Sequence, residues 1–280
     1  GCTFGRRERS MSSFEELLKN GKKILEGSGL EEAGLDAWLL LEYVTGKNRA
    51  WYFAHSDEMA DPKEAIRYQE LIRKRSSHVP LQHLTHQAFF MGYEFYVDQH
   101  VLVPRQDTEI LVEEALKYVH SGMKLLDMCT GSGCILLSIV KLAAELKGCR
   151  EVTGTGVDLS EKALKIAQEN RRNLGLEQTT ALLQSDLFEQ VNGTYDMIVS
   201  NPPYIASEVI TTLSEEVKDH EPMMALDGGT GGLDFYRIII EKSPSYLTPG
   251  GMLFFEIGYD QGVSVSQLME KDFENIHVIQ

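Results

Sequence analysis

The residues best placed to do chemistry are Ile198-Val199-Ser200-Asn201-Pro202-Pro203-Tyr204, an apolar strand pattern running into a polar turn and an aromatic ring. Two successive prolines remove two backbone donors and fix two φ angles, so a strand ladder cannot continue past Asn201. The residue before a proline is held extended, which lets the Asn201 side-chain oxygen and the Pro202 carbonyl point into a cleft. Two such acceptors suit a planar NH2 group, taking its two protons while the Tyr204 ring stacks on its plane. Taken alone, Asn-Pro-Pro is equally well a plain loop. What precedes it decides.

Upstream lies a second cluster. Leu125-Leu126-Asp127-Met128 reads as a buried strand, and Cys129-Thr130-Gly131-Ser132-Gly133 turns it into a helix over residues 134–146. Strands over 152–158, 182–187 and 195–201 follow, the first two separated by a helix over 160–174. A helix over 236–247, a strand over 252–257, a helix over 260–271 and the start of a sixth strand over 276–279 complete the pattern. This alternation predicts an α/β fold, a Rossmann-like, mostly parallel doubly wound sheet whose ligand sits at the carboxyl ends of the strands.

Three of those ends fit one nucleoside-like ligand. Gly131 and Gly133 let backbone approach it, Asp158 can accept both ribose hydroxyls, and Asp186 can accept from an adenine amino group. Cys129, Thr130, Ser132, Leu159 and Leu187 flank them, and Asn201 closes the set. Leu136 stands where a dinucleotide fingerprint would carry its third glycine, and the acid Asp127 precedes the turn. The pattern therefore favours S-adenosylmethionine, which has no pyrophosphate to cradle. Asn201 to Tyr204 then lie beside its methyl group, as an acceptor pocket with Asn201, Pro202, Pro203 and Tyr204 as catalytic candidates.

The formal charge of −15 is unevenly placed: residues 1–10 carry +2, residues 11–86 carry −2 and residues 87–280 carry −15. So acidic a carboxy-terminal region repels a phosphate backbone, and stable nucleic-acid binding is not expected. No apolar run approaches the roughly twenty residues that span a bilayer, and Arg6, Arg7 and Arg9 come without the apolar core of a signal peptide. No membrane association is expected, and cytoplasm is the default compartment. Cys2, Cys129, Cys134 and Cys149 have neither CxxC spacing nor a His cluster, and read as reduced thiols. His83 and His86 lack further ligands, so no metal is expected.

Residues 1–10 fit no periodicity and precede Met11, which looks like a natural start; they read as a tail or remnant. Residues 11–86 read as a helical substrate-platform domain. Ser13 with Glu16 forms a capping box, a second helix covers 31–43 and closes at Gly46, and Asp61-Pro62 opens a third through Arg75. Residues 87–104 alternate as a hairpin linker, and 105–280 form the cofactor-binding catalytic domain. Within it a helix over 107–119 turns Ile110, Leu111, Ala115 and Leu116 inward, and Arg105 and Glu109 form a candidate ion pair.

Asn-Pro-Pro-Tyr after the fourth strand of such a fold resembles the amino and amide methyltransferases, and further segments narrow the likeness. Val103-Pro104-Arg105-Gln106-Asp107-Thr108-Glu109, Glu221-Pro222 leading to Ala225-Leu226-Asp227-Gly228-Gly229, Gly232-Leu233 with Tyr236-Arg237, and Glu256-Ile257-Gly258-Tyr259 are similar to the HemK/PrmC family. The resemblance covers roughly residues 13–280. It implies an S-adenosylmethionine-dependent enzyme that methylates the side-chain amide of the glutamine in the Gly-Gly-Gln motif of peptide chain release factors, with S-adenosylhomocysteine as product and translation termination as the process modulated. Cys129 stands where the family usually has glycine, a small change that cofactor binding is expected to survive. Leu187 stands where an aromatic often covers the adenine. The family also continues into an antiparallel seventh strand, so with the sequence ending at Gln280 the last hairpin is expected to be missing.

Two other readings use the same residues. An adenine-N6 methyltransferase would hold a flipped base in the same turn, but it needs a basic groove and a target-reading domain. A non-catalytic S-adenosylmethionine-binding module would have no use for an intact Asn201 to Tyr204.

Overall fold

The computed structural model describes residues 11–280, and the chain divides into one unit ending at Thr85 and another beginning at His86. The tail assigned to residues 1–10, with Cys2, lies outside the described residues.

The first unit is helical: α1 (Phe14–Gly27), α2 (Ala33–Thr45), α3 (Arg49–His55), α4 (Pro62–Ser76) and α5 (Leu81–Thr85). Its boundaries follow local chemistry. The Glu16 amide donates to Ser13 Oγ at 3.2 Å and the Ser13 amide donates back to Glu16 Oε2 at 3.1 Å, completing the capping box. Gly46 ends α2 in the left-handed region, and Asp61 caps α4 ahead of Pro62. Neither α3 nor α5 is foreseen from sequence: α3 buries none of its residues, so no apolar stripe betrays it. Phe14, Leu17, Leu25, Trp38, Leu40, Tyr68 and Ile72 form the core, beside a buried Arg75–Asp36 ion pair at 2.8 Å.

The second unit opens with a hairpin of β1 (Ala88–Phe90) and β2 (Tyr93–Phe95), shorter than the 87–104 expected; from Tyr96 to Gln106 the chain has no regular structure. Then comes α6 (Asp107–Leu116), whose buried stripe is Thr108, Leu111, Val112 and Ala115, the i, i+3, i+4, i+7 set. Ile110 falls off that stripe and is 42% exposed, against the expected inward face. Arg105 and Glu109 do not pair. Arg105 meets Glu221 instead, and Glu109 Oε1 accepts the Met91 amide at 2.7 Å.

The sheet comprises β3 (Lys124–Met128), β4 (Thr153–Asp158), β5 (Thr180–Gln184), β6 (Tyr195–Ser200) and β7 (Leu247–Phe255), in the order β5-β4-β3-β6-β7 and parallel throughout. Around it lie α7 (Cys134–Lys147), α8 (Glu161–Asn173), α9 (Glu215–His220), α10 (Asp234–Lys242) and α11 (Gly262–Met269). Leu125, Leu126, Met128, Met197, Ile198 and Val199 are fully buried, as continuous apolar runs in a sheet covered on both faces must be. β5 ends at Gln184, so Asp186 sits in the turn beyond the strand, not in it. Residues 276–279 form no strand: they pair with no described strand, and Val278 and Ile279 are about half exposed. An apolar, branched pattern without an edge to join leaves backbone donors to solvent. Among the described residues no helix is long and apolar enough to cross a membrane.

Candidate active site

The chain leaves β3 to build β4 and β5 on one side, then returns to lay β6 and β7 on the other, so the strand order reverses between β3 and β6. Met128 pairs with Ser200 at their carboxyl ends, placing the 129–133 turn beside Asn201. Ser200 is fully buried and its hydroxyl donates to the Met128 carbonyl at 2.5 Å, tying the two ends together.

A cavity of about 260 Å³ opens there. Cys129, Thr130, Gly131, Ser132, Asp158, Leu159, Asp186, Leu187, Asn201 and Pro203 all line it. Gly133, Pro202 and Tyr204 do not. Gly133 is the residue before α7 at φ +82°, and a Cβ there would meet Leu137 at 2.9 Å, so it serves the turn and its packing. Pro202 is buried, and Tyr204 packs half-buried against the Tyr236, Ile240 and Val265 cluster.

The glycine turn leaves open space on its cavity side. At Gly131, φ is +55° and nothing lies within 4 Å of an added Cβ, so its backbone is bare. The Gly131 amide donates to Asp158 Oδ2 and the Ser160 amide to Asp158 Oδ1, both at 2.9 Å, fixing the carboxylate while leaving each oxygen a further lone pair. Burial raises the Asp158 pKa, and the backbone bonds from Ser160, Gly131 and Leu159 oppose that rise. Beneath the turn, fully buried Asp127 accepts the Thr130 hydroxyl at 2.6 Å through Oδ2, while its Oδ1 has no partner among the described residues. Burial pushes the Asp127 pKa up to about 7. Cys129 occupies the left-handed region at φ +64° and Leu187 at φ +49°; both are non-glycine strain points on the cavity wall.

The Asn201 turn is held differently. The Asn201 side chain faces the cavity and makes no hydrogen bond to any described residue. Behind it, Gln261 Nε2 donates to the Tyr204 carbonyl at 2.9 Å. An added Cβ at Gly228 would lie 2.7 Å from the Pro203 oxygen, and one at Gly232 would lie 2.1 Å from the Tyr204 oxygen. The backbone of 226–228 runs beside the turn, the Ile205 amide donating to Leu226 O at 3.1 Å and the Gly228 amide to Ile205 O at 2.8 Å. Burial and Glu256 raise the Tyr204 pKa, and Arg105 opposes them.

Sequence reasoning assigned no role to Ser200, Gln261, Phe235 or residues 99–102, and quoted 103–104, Pro222, Ala225, Gly228 and Gly232 only within resembling segments. The glycines were legible as part of a resembling motif; Gln261 carries no local signal at all.

A parallel doubly wound sheet with a bare glycine turn, an anchored acid on the next strand and an Asn-Pro-Pro-Tyr turn across the switch point is a methyltransferase domain. Family models agree: that of the methyltransferase small domain matches residues 105–220 and that of the PrmC N-terminal domain matches residues 16–85. The chain is 38% identical to the release factor glutamine methyltransferase of Clostridium acetobutylicum, over 92% of this chain and 90% of that one. It is 39% identical to that of Geobacter sulfurreducens, over 90% and 87% of the two chains. The chain belongs to the release factor glutamine methyltransferase family.

Proposed function

We propose that the chain transfers a methyl group from S-adenosylmethionine to the side-chain amide nitrogen of the glutamine in the Gly-Gly-Gln motif of peptide chain release factors. The observation that carries this reading is Asn201: an unpartnered carboxamide on the wall of the cofactor-sized cavity, in the family whose named members act on release factor glutamine.

The residues present fit the cofactor. Gly131 offers bare backbone, Asp158 the lone pairs for two ribose hydroxyls, and Asp186 an acceptor for an adenine amino group. When bound, S-adenosylmethionine supplies an electrophilic methyl on a sulfonium. An amide nitrogen is a poor nucleophile because its lone pair is delocalised into the carbonyl, so orientation must do much of the work. The Asn201 oxygen on the cavity wall accepts one N–H proton and aims the lone pair; the Pro202 carbonyl and the Tyr204 ring, which lie in the same turn but outside the cavity lining, are assigned the second N–H and the amide plane at the cavity's edge. No metal and no dedicated base are needed, since the nitrogen becomes strongly acidic once it has attacked. Residues 11–86 serve as a platform for the protein substrate, and the enzyme works in the cytoplasm.

A radiolabelled methyl-transfer assay on release factor, an unmodified Gly-Gly-Gln peptide and DNA tests the reading. Label is expected on release factor and on the peptide. Label on DNA alone would replace this reading with an adenine methyltransferase, and no label anywhere with intact cofactor binding would leave a binding module.

A further inference from the structure

The cavity has two walls of irregular backbone from distant parts of the chain. One is the run from Gln99 to Arg105, every residue of which lines it; the other is Pro222, Met224 and Ala225. Neither belongs to the sheet, so something other than a β-ladder must fix their separation. The second wall ends a long excursion from Ile205 to Ala225 in which α9 and the short turn Met223–Ala225 bury no residue. Such a segment holds little apolar packing of its own and is drawn from the low-stability end of the fold.

The Glu221 side chain bridges the walls. The Glu221 carboxylate is fully buried, accepts the Val103 amide at 3.0 Å through Oε2 and pairs with the Arg105 guanidinium through Oε1. Glu221 thus joins residues 116 and 118 positions away. Arg105 keeps 42% of its side chain exposed, so the bridge has one buried and one wet end. Burial raises the Glu221 pKa, with Arg105 and the Val103 amide opposing the rise, as for a carboxylate that is buried but paired. A buried charge that loses its partner is costly, so the pair is either closed or the segment moves.

We propose that Glu221 is a positioning residue that sets the cofactor cavity by pinning the 206–225 excursion to the 99–105 wall, with Arg105 as its charge partner. This rests on the methyltransferase reading for what the cavity holds, but the pin itself is a property of the fold. Glu221 touches no reacting atom; it acts through Val103 and Pro222. Its loss should therefore act on how long the ligand stays, leaving the chemistry of the bound state nearly untouched.

The test compares wild type with Glu221→Gln, which keeps an acceptor for Val103 and loses the charge, and Arg105→Met, which removes the partner from a partly exposed position. Three readouts are taken: S-adenosylhomocysteine affinity by calorimetry, kcat against cofactor KM on a Gly-Gly-Gln peptide, and limited proteolysis with cleavage sites mapped by mass spectrometry. Both variants should bind S-adenosylhomocysteine about tenfold more weakly, raise KM with kcat within about twofold, and be cut several-fold faster within 206–225. The double variant should lose no more than the worse single one, as expected when two groups act as one unit. Wild-type affinity and wild-type cleavage in both variants would overturn the proposal, as would a kcat loss at unchanged KM. If wild type itself binds no S-adenosylhomocysteine, the methyltransferase reading fails, and the proteolysis arm still decides the pin.

Discussion

The two turns that meet at the β3–β6 switch point are held in opposite ways. The 129–133 turn is fixed by its own hydrogen bonds, Thr130 to Asp127, Gly133 to the Thr130 carbonyl, Gly131 to Asp158 and the Thr130 amide to the Val157 carbonyl on the adjacent strand. The 201–204 turn has prolines for stiffness but takes its position from behind, from Gly228, Gly232 and Gln261, between 24 and 60 residues downstream. On the proposed reading, a cofactor site can rest on the turn and the strand beside it because it binds by bare backbone and one acid. An acceptor site must place a carboxamide and a carbonyl to within a fraction of an ångström of a reacting nitrogen, and that needs a scaffold.

The strongest way to break this comparison is a reciprocal pair. Asn201→Ala should cut methyl transfer by roughly 10²–10³-fold, the scale seen when one preorganised polar contact to a transition state is removed, with S-adenosylhomocysteine affinity within a few-fold. Asp158→Ala should instead weaken that affinity in calorimetry. If each variant showed the other's defect, the division of labour would be wrong.

Gly232→Ala tests the scaffold. A Cβ 2.1 Å from the Tyr204 oxygen at φ +72° has no room and an unfavourable backbone, so the Asn201 turn must move. A loss of about 3 kcal/mol in stability, with activity on the Gly-Gly-Gln peptide falling further than stability explains, is the expected result. Chemical denaturation beside a kinetic assay at a temperature where the variant is folded would show it; near-normal kinetics would mean the turn stands without its backing.

Asp127→Asn probes the ground under the glycine turn. With a native pKa near 7 against an ordinary 3.8, Asp127 holds a proton in the native state that the unfolded chain releases across that window. The native state then binds more protons, so wild-type stability falls as pH rises from about 4 to 7 and the cost is fully present above 7. The isosteric amide should remove this slope and stabilise the apo-protein at pH 8 by up to about 4 kcal/mol. Parallel Tm-against-pH curves for the two proteins would show that burial is not setting this group.

The smallest effect is Cys129→Gly. At φ +64° glycine relieves the left-handed strain, so a gain of about 1 kcal/mol is expected, with cofactor affinity unchanged or slightly better. A destabilised variant would mean that the thiol's packing on the Leu126–Ile198 cluster outweighs the strain.

Much of the short-range chemistry was legible, though the Asn48 cap that starts α3 was passed over and the helix expected over 236–247 ends at Lys242. Proline pairs stop strands, Ser13 and Asp61 start helices, glycines at positive φ make turns, and an acid ends β4; each depends on a few neighbouring residues, so each can be read before the chain is folded. What failed was whatever needed a partner: the Arg105–Glu109 pair gave way to Arg105–Glu221, Ile110 faced outward, and residues 276–279 found no edge. Those outcomes depend on which surfaces the sheet order brings together, and spacing along the chain does not encode that directly. The sequence by itself determined the doubly wound alternation, most of the residues that line the cavity beside the glycine turn, and the Asn-Pro-Pro-Tyr turn. Tertiary structure alone decided what stands behind that turn and what closes the cavity, because a Gln261 amide or a Glu221 carboxylate gains its role only when chain closure sets it within 3 Å of a backbone far away in sequence.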